Sequence, residues 1–393
     1  MNYRILSLDG GGTWALIQVK ALIALYDAAT PGHDVLQDFD LVAANSGGSI
    51  VLGGLLENLT LGQIMALFED ETTRKSIFSP SWIGNELLHD LTGAGPRYSA
   101  KNKLPALKKA LPRTAMLPLK KAPAELRRAG SKEPLHVLIT SFDYDRNRAT
   151  FFRSSAICAP SWGNGDSADV TVAEAIHAST NAPVNYFDAP AKIPEPPKRY
   201  WDGAIAGCNN PVLAAVTEAI GRKQNPIGIV ALSIGTGSVV LAPPQPDQPP
   251  SPFVTPITHS WLLPDLRKLA TAILDDPPDV ATFLAHVMTG SGIGLKANDS
   301  RIVRMNPLIS PVKDRIGAWS APTGMTAERF DYLAHLDIDA IEPEQVRAIS
   351  ELADLWLRSS APNQPIRMNG DTLEPELGQG RFAQAQAAWN AIK

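Results

Sequence analysis

The sequence predicts an α/β fold in which a mainly parallel sheet is covered by helices on both faces. A strand, a sharp glycine-containing turn and a helix follow one another twice within the first sixty residues. Strand-like and helix-like segments then alternate as far as Gly237, the order that builds a sheet between two helical layers. With 44% hydrophobic and 19% charged residues over 393 positions, the chain has the composition of a compact protein and the length to bury a substantial core.

Residues 4 to 9 read as a short buried strand, Gly10-Gly11-Gly12 as a tight turn, and Thr13 to Ala28 as a helix whose strongly polar residues are Gln18, Lys20 and Asp27. Asp38 to Ala43 reads as a second strand entering Asn45-Ser46-Gly47-Gly48, with a helix over Ser49 to Leu59. Thr60 and Gln63 form a capping-box pattern, and Leu61, Ile64, Met65 and Phe68 carry an amphipathic helix toward Lys75. Strands follow at His136 to Ser141, Ala149 to Phe152, Arg199 to Trp201 and Gly228 to Ile234, with helices at Val172 to Ser179 and Pro211 to Lys223. Seven prolines between Ala242 and Pro256 forbid regular structure. This stretch reads as a surface loop, because Arg301 to Met305 resembles a strand returning to the same sheet. Pro343 opens a late helix with Val346, Ile349, Leu352, Ala353 and Trp356 on one face. The expected organisation is one domain over 1–393, with a motif-bearing core at 4–240, the proline-rich loop at 242–256 and a helical C-terminal part at 261–393.

Cys158 and Cys208 are too few for a disulfide framework and lack zinc-site spacing, so both read as reduced packing residues. The chain runs almost at once into Tyr3-Arg4-Ile5-Leu6-Ser7-Leu8 without the features of a secretory signal, and export by that route is not expected. The longest low-polarity stretch, Leu41 to Leu56, is interrupted by Asn45, Ser46, Ser49 and glycines and falls short of the roughly 20 residues that span a bilayer. The expected setting is cytoplasmic, with any membrane contact peripheral, at the inner face.

A nucleophilic serine is thrust out of a strained strand-to-helix turn, which demands small residues two positions to either side. Ala44-Asn45-Ser46-Gly47-Gly48 meets that demand, and the same residues also suit an ordinary turn. Gly10-Gly11-Gly12 lies between a strand and a helix. Its backbone N–H groups suit a developing oxyanion or a bound phosphate, and a plain turn would use the same glycines.

Five blocks together resemble the patatin-like phospholipase family. Asp9-Gly10-Gly11-Gly12 is similar to its oxyanion loop, Ser46 to its nucleophile elbow, and Trp201-Asp202-Gly203-Ala204 followed by Asn209-Asn210-Pro211 to its catalytic-aspartate block. Ala178-Ser179-Thr180-Asn181-Ala182-Pro183 with Tyr186-Phe187, and Leu232-Ser233-Ile234-Gly235-Thr236-Gly237, resemble two supporting blocks. The resemblance implies a three-layer α/β/α fold and a bacterial lipid acyl hydrolase of phospholipase A type. Ser46 would be its nucleophile, Asp202 its base, and Gly10, Gly11 and Gly12 its oxyanion loop, with no cofactor or metal. The substrate would be a phospholipid or another acyl lipid. Asp202 also reads as a cap of the next turn, Asp9 as a brace of the glycine loop, and His177 as a packed helix residue. The chain departs from the family pattern at Trp14, Ala15, Ala44 and Ala204.

Two rival readings remain at this level. Leu8-Asp9-Gly10-Gly11-Gly12-Thr13 and Gly235-Thr236-Gly237-Ser238 also resemble the phosphate loops of sugar kinases with the actin-like fold, which continue into a β-hairpin. The four departures suit a catalytically inactive patatin-like binding module. Between Arg97 and Lys132 stand eleven basic residues and one acid, Glu125, in a chain of net charge −4. That segment is expected to meet an anionic partner, either a membrane surface or the cyclic-oligonucleotide activator that resemblance to antiphage phospholipases implies. No DNA binding is expected.

Overall fold

The fold is read from a computed structural model, which describes residues 2–77, 98–155, 170–183, 186–193, 197–244, 251–256, 277–290, 300–315, 317–338 and 340–393. Eight strands of it join in one sheet. They are β1 (Tyr3–Leu8), β2 (Leu41–Ala44), β3 (His136–Asp143), β4 (Arg148–Arg153), β5 (Ala191–Ile193), β6 (Lys198–Asp202), β7 (Ile229–Ile234) and β8 (Ile302–Met305). The order is β5-β6-β3-β2-β1-β7-β8, with β4 also paired to β3. Pairing is parallel from β3 through β2, β1 and β7 to β8, and antiparallel where β4, β5 and β6 join.

Side chains that alternate along each strand separate two cores. Leu6, Leu8, Val42, Ala44, Val230, Leu232 and Ile234 face one core, and Ile5, Leu41, Ala43, Ile229 and Ala231 the other. The first core takes α1 (Leu16–Tyr26), α2 (Ser46–Leu56), α3 (Leu61–Glu69), α4 (Ala100–Ala110) and α5 (Val172–Ser179). The second takes α6 (Val212–Gly221) and α7 (Pro277–Met288). Burial on both faces is why the central strands are almost wholly apolar in sequence. The fold is therefore the expected three-layer α/β/α arrangement around a mainly parallel sheet.

Several boundaries differ from the sequence reading, each for a local reason. The helix expected from Thr13 opens with a 3-10 turn over Gly12–Ala15 before α1 begins, and that helical run takes the place of the hairpin a kinase fold requires. The helix expected from Ser49 starts three residues earlier, at Ser46. The amphipathic helix ends at Asp70, whose ψ of 117° leaves the helical region, and a second helix covers Glu71–Ile77. Near the ends of the proline-rich stretch Ala242 is bridged to Val254, and residues 245–250 lie outside the described residues. The strand expected at Arg301 to Met305 is β8, which pairs the otherwise open edge of β7, and the mainly helical C-terminal part adds two short antiparallel pairs. Cys208 is a free, half-buried thiol that burial pushes up to about 11. Cys158 lies outside the described residues.

The helix expected at Pro343 is α8 (Pro343–Leu357), followed by α9 (Phe382–Ile392). Trp356 on α8 is fully buried, edge-on to Phe382 at 4.7 Å, and its indole N–H donates to Asn363 Oδ1 at 3.1 Å. Trp356→Ala removes this packing and one of the two hydrogen bonds that Asn363 Oδ1 accepts, the other coming from the Asn306 N–H, so it should lower the free energy of unfolding by about 3–5 kcal/mol. Urea denaturation measures this; a loss below about 1 kcal/mol would mean that the C-terminal helices contribute little to the core.

Candidate active site

Ser46 stands where β2 gives way to α2. Its φ is +45°, the left-handed region, which costs a residue with a side chain on the order of 1–3 kcal/mol. Neighbouring groups hold it there. Its N–H donates to Ser179 Oγ at 2.9 Å, its carbonyl accepts Ser49 Oγ at 2.5 Å, and the next turn is fixed by Gly48 N–H on the Asp9 carbonyl at 3.1 Å. A methyl group on Gly48 would lie 2.5 Å from the Leu8 carbonyl oxygen, so strand and helix approach as closely as an elbow requires. Ala44 departs from the family pattern without strain, since its methyl group joins the buried core beside α2.

Asp202 ends β6, paired opposite Ser141 on β3, and is buried. The Ser46 hydroxyl lies close enough to its carboxylate to favour the charged form. Its Oδ1 accepts Asn45 Nδ2 at 3.0 Å and the Ala204 N–H at 2.9 Å. The second of these caps the 3-10 turn Gly203–Ala206, so Asp202 both caps that turn and faces Ser46. Burial lifts its pKa above the ordinary 3.8, while the nearby Ser46 hydroxyl, the hydrogen bonds from Ala204 and Asn45 and the charge of Lys103 pull the other way. Asn45 is itself fixed, because its Oδ1 accepts Thr140 Oγ1 at 2.6 Å. His177 is buried on α5, and burial with the nearby Lys103 charge pushes it down to about 2. It stays neutral, and its Nδ1 has no partner among the described residues.

The glycine loop divides its tasks in a way the sequence reading did not foresee. Gly10 was expected to contribute an oxyanion donor, but its N–H is taken by the Asn209 carbonyl at 2.8 Å, and its own carbonyl accepts Thr236 Oγ1 at 2.6 Å. Gly10 therefore anchors the loop. The N–H groups of Gly11 and Gly12 donate to no described residue, and their φ angles of +150° and +54° turn the chain beside Ser46. Asp9 braces the loop from beneath: its Oδ2 meets Arg304 Nη2 at 2.6 Å, and its carbonyl accepts Gln18 Nε2 at 2.9 Å. Burial lifts the Asp9 carboxyl to about 6 against the pull of Arg304.

A narrow cavity of about 20 Å³ opens at Ser46, bordered by Gly12, Gly47, Lys103, Tyr186, Phe187 and Ile338. Asp337 and Ile338 form a strap across it. The Trp14 indole N–H donates to the Asp337 carbonyl at 2.9 Å, the Thr13 N–H to the Ile338 carbonyl at 3.2 Å, and the Tyr186 hydroxyl to Asp337 Oδ1 at 2.6 Å. Trp14, a departure from the family pattern, thus carries a definite contact.

Lys103, Arg304 and the Asp337–Ile338 strap were missed in the sequence. No motif marks them, and Lys103 was counted within the basic segment. That expectation needs correction. Lys103 points inward and is buried, Arg128 is buried against Asp40 at 2.9 Å, and the Arg113 Nε bonds Glu57 at 3.2 Å. Arg97 lies outside the described residues. Among the described residues no cluster of three or more His, Cys, Asp or Glu could hold a metal ion, and no helix is long and apolar enough to cross a membrane.

No curated protein matches the chain significantly in sequence. Among solved structures, VipD from Legionella pneumophila is similar at 11% identity and a TM-score of 0.38, over 90% of this chain and 67% of that one. The type III effector protein ExoU is similar at 14% identity and a TM-score of 0.26, again over 90% of this chain, which spans about half (53%) of ExoU. The model of the patatin-like phospholipase family matches residues 6–216, more than half of the sequence and a stretch that includes the glycine loop, Ser46 and Asp202. The chain belongs to the patatin-like phospholipase family.

Proposed function

We propose that the chain is a lipid acyl hydrolase of phospholipase A type, cleaving the carboxylic ester bonds of membrane lipids with Ser46 as nucleophile and Asp202 as base. One observation carries this reading: a serine in a left-handed turn stands close enough to a buried carboxylate to favour its charged form, beside two backbone N–H groups that donate to no described residue. In the proposed reaction Ser46 Oγ bonds to the ester carbonyl carbon while its proton passes to Asp202. Gly11 and Gly12 receive the oxyanion. The tetrahedral adduct expels the alcohol, which leaves with the proton held by Asp202. Water then gives a proton to Asp202 and attacks the acyl-Ser46 ester, releasing the fatty acid as Ser46 regains its proton. A carboxylate whose proton affinity is raised by burial suits this work better than an exposed one.

The exposed remainder of the basic segment, which includes Lys109, Lys120, Lys121, Arg127 and Lys132, supports contact with an anionic partner. Its position limits the kind of contact. The eleven-residue helix α2, about 16 Å long, runs from Ser46 to the end where Glu57 holds Arg113. Arg128 binds Asp40 and the Asn2 carbonyl, where β1 and β2 begin. Arg113 and Arg128 therefore lie toward the end of the central strands opposite Ser46.

Three outcomes are expected. Ser46→Ala and Asp202→Asn should each reduce ester hydrolysis by about three orders of magnitude or more without unfolding, and the double variant should be no worse than either. A fluorophosphonate probe should label the wild type and not Ser46→Ala; an unlabelled, folded wild type would establish the inactive binding module instead. In the pH profile, the base works only when deprotonated and its pKa is raised, so kcat/KM should fall on acidification through a value above the ordinary 3.8. Asn45→Ala removes a hydrogen bond that favours the carboxylate and should move that limb to still higher pH; an unmoved limb would remove Asp202 from the role of base. Finally, replacing Lys108, Lys109, Lys120 and Lys121 with Gln should weaken salt-sensitive binding to anionic vesicles and spare hydrolysis of a small soluble ester. Unchanged vesicle binding would make the segment a solvated face.

A further inference from the structure

Lys103 occupies a position on α4 where an apolar residue would be expected. It shares the buried face of that helix with Leu107, one turn on, and is 1% exposed. Its Nζ donates to Asn181 Oδ1 at 2.8 Å and stands 3.7 Å from the centroid of the Phe187 ring. An ammonium carries three N–H donors. Asn181 takes one and the ring face attracts the charge, yet no ion pair with a described residue engages it. Asp202 lies near enough for the two charges to influence one another, without direct contact. Burial pulls the lysine well below its usual range, partly offset by Asp202. A desolvated cation held without a paired anion is costly to a fold, and this one borders the same cavity as Ser46.

We infer that Lys103 receives the phosphate of the substrate, so that the site selects esters carrying that anion over neutral ones. The inference rests on the hydrolase reading for its substrate and on the cavity for its geometry. Because the ammonium and Ser46 border one cavity, the anion belongs to the molecule that carries the ester. A glycerophospholipid meets this condition, with a phosphodiester a few bonds from its acyl carbonyls, whereas a diacylglycerol has the same esters and no charge. Asn181 keeps the ammonium oriented, since its own amide is tied by Nδ2 to the Ala189 carbonyl at 2.6 Å. Phe187 packs against Tyr98 with ring centroids 5.9 Å apart and planes tilted by 51°, which holds the ring beneath the charge.

The test compares phosphatidylglycerol, whose only charge is its phosphate, with a diacylglycerol of the same acyl chains, both in neutral mixed micelles with the full chain. The wild type should favour phosphatidylglycerol in kcat/KM by about tenfold or more, as a charge-assisted contact warrants. Lys103→Met, which keeps the length and apolar stem, should bring the ratio close to one. A wild type without the preference overturns the inference whether or not the variant folds. So does a variant in which both rates fall together and the ratio stays, because a lysine acting only through Asp202 would affect both substrates alike. A second arm does not depend on turnover. In Ser46→Ala, calorimetry should show lysophosphatidylglycerol binding more tightly than the monoacylglycerol of the same chain, with the difference lost when Lys103→Met is added. If the wild type cleaves neither lipid, the hydrolase reading fails, and the calorimetry alone decides on Lys103.

Discussion

The candidate site depends on a buried ion pair that brings together distant parts of the chain. Arg304 on β8 reaches beneath β7, where its Nη1 donates to Ser233 Oγ at 2.8 Å, and meets Asp9 at the end of β1. Both side chains are 3% exposed. Removing one partner of such a pair leaves an uncompensated charge, typically at a cost of about 3–5 kcal/mol. Through Asp9 the pair supports the glycine loop, and the Asp9 carbonyl also accepts the Gly48 N–H. The loop and the turn at Ser46 therefore share one foundation, which fixes the distance between the Gly11 and Gly12 N–H groups and Ser46.

On that foundation the site joins two opposed demands. Ser46 sits in a backbone region that disfavours its side chain, and Asp202 carries a charge in a place that disfavours charge. Neither would persist alone. Ser179, Ser49 and Asn45 hold them by hydrogen bonds from side chains that are themselves wholly buried. The result is a serine and a carboxylate held near one another in the folded state by groups already in place.

How much of this was legible in the sequence depended on the range of the interaction. The layered fold could be read because apolar strands and alternating helices are local patterns. Ser46 could be singled out because its turn requires small neighbours that stand beside it in the chain, whereas Asp202 was reached only through the resemblance of its block to the patatin-like family. Gly10 was assigned the wrong task because its N–H partner, Asn209, is distant in sequence. Charge counting also misjudged the basic segment, since composition records how many lysines a stretch holds and not which way they point. Lys103 and Arg128 turn inward because Asn181 and Asp40 wait for them. Arg304 had no local signal at all: its partner Asp9 lies 295 positions away.

That separation bears on how the chain reaches its fold. β1 lies in the middle of the sheet, with β2 on one side and β7 on the other, so this strand needs one neighbour close to it in the sequence and one far beyond it. Contacts of such high order slow folding, because long loops must close before the pairing rewards them. Until β7 emerges on the ribosome, β1 presents one open edge, and until Arg304 emerges, Asp9 lacks its partner. The stretch matched by the family, 6–216, ends before β7. A nascent chain of that length would carry the glycine loop and the elbow on a half-built sheet with an exposed edge, the kind of surface on which aggregation begins.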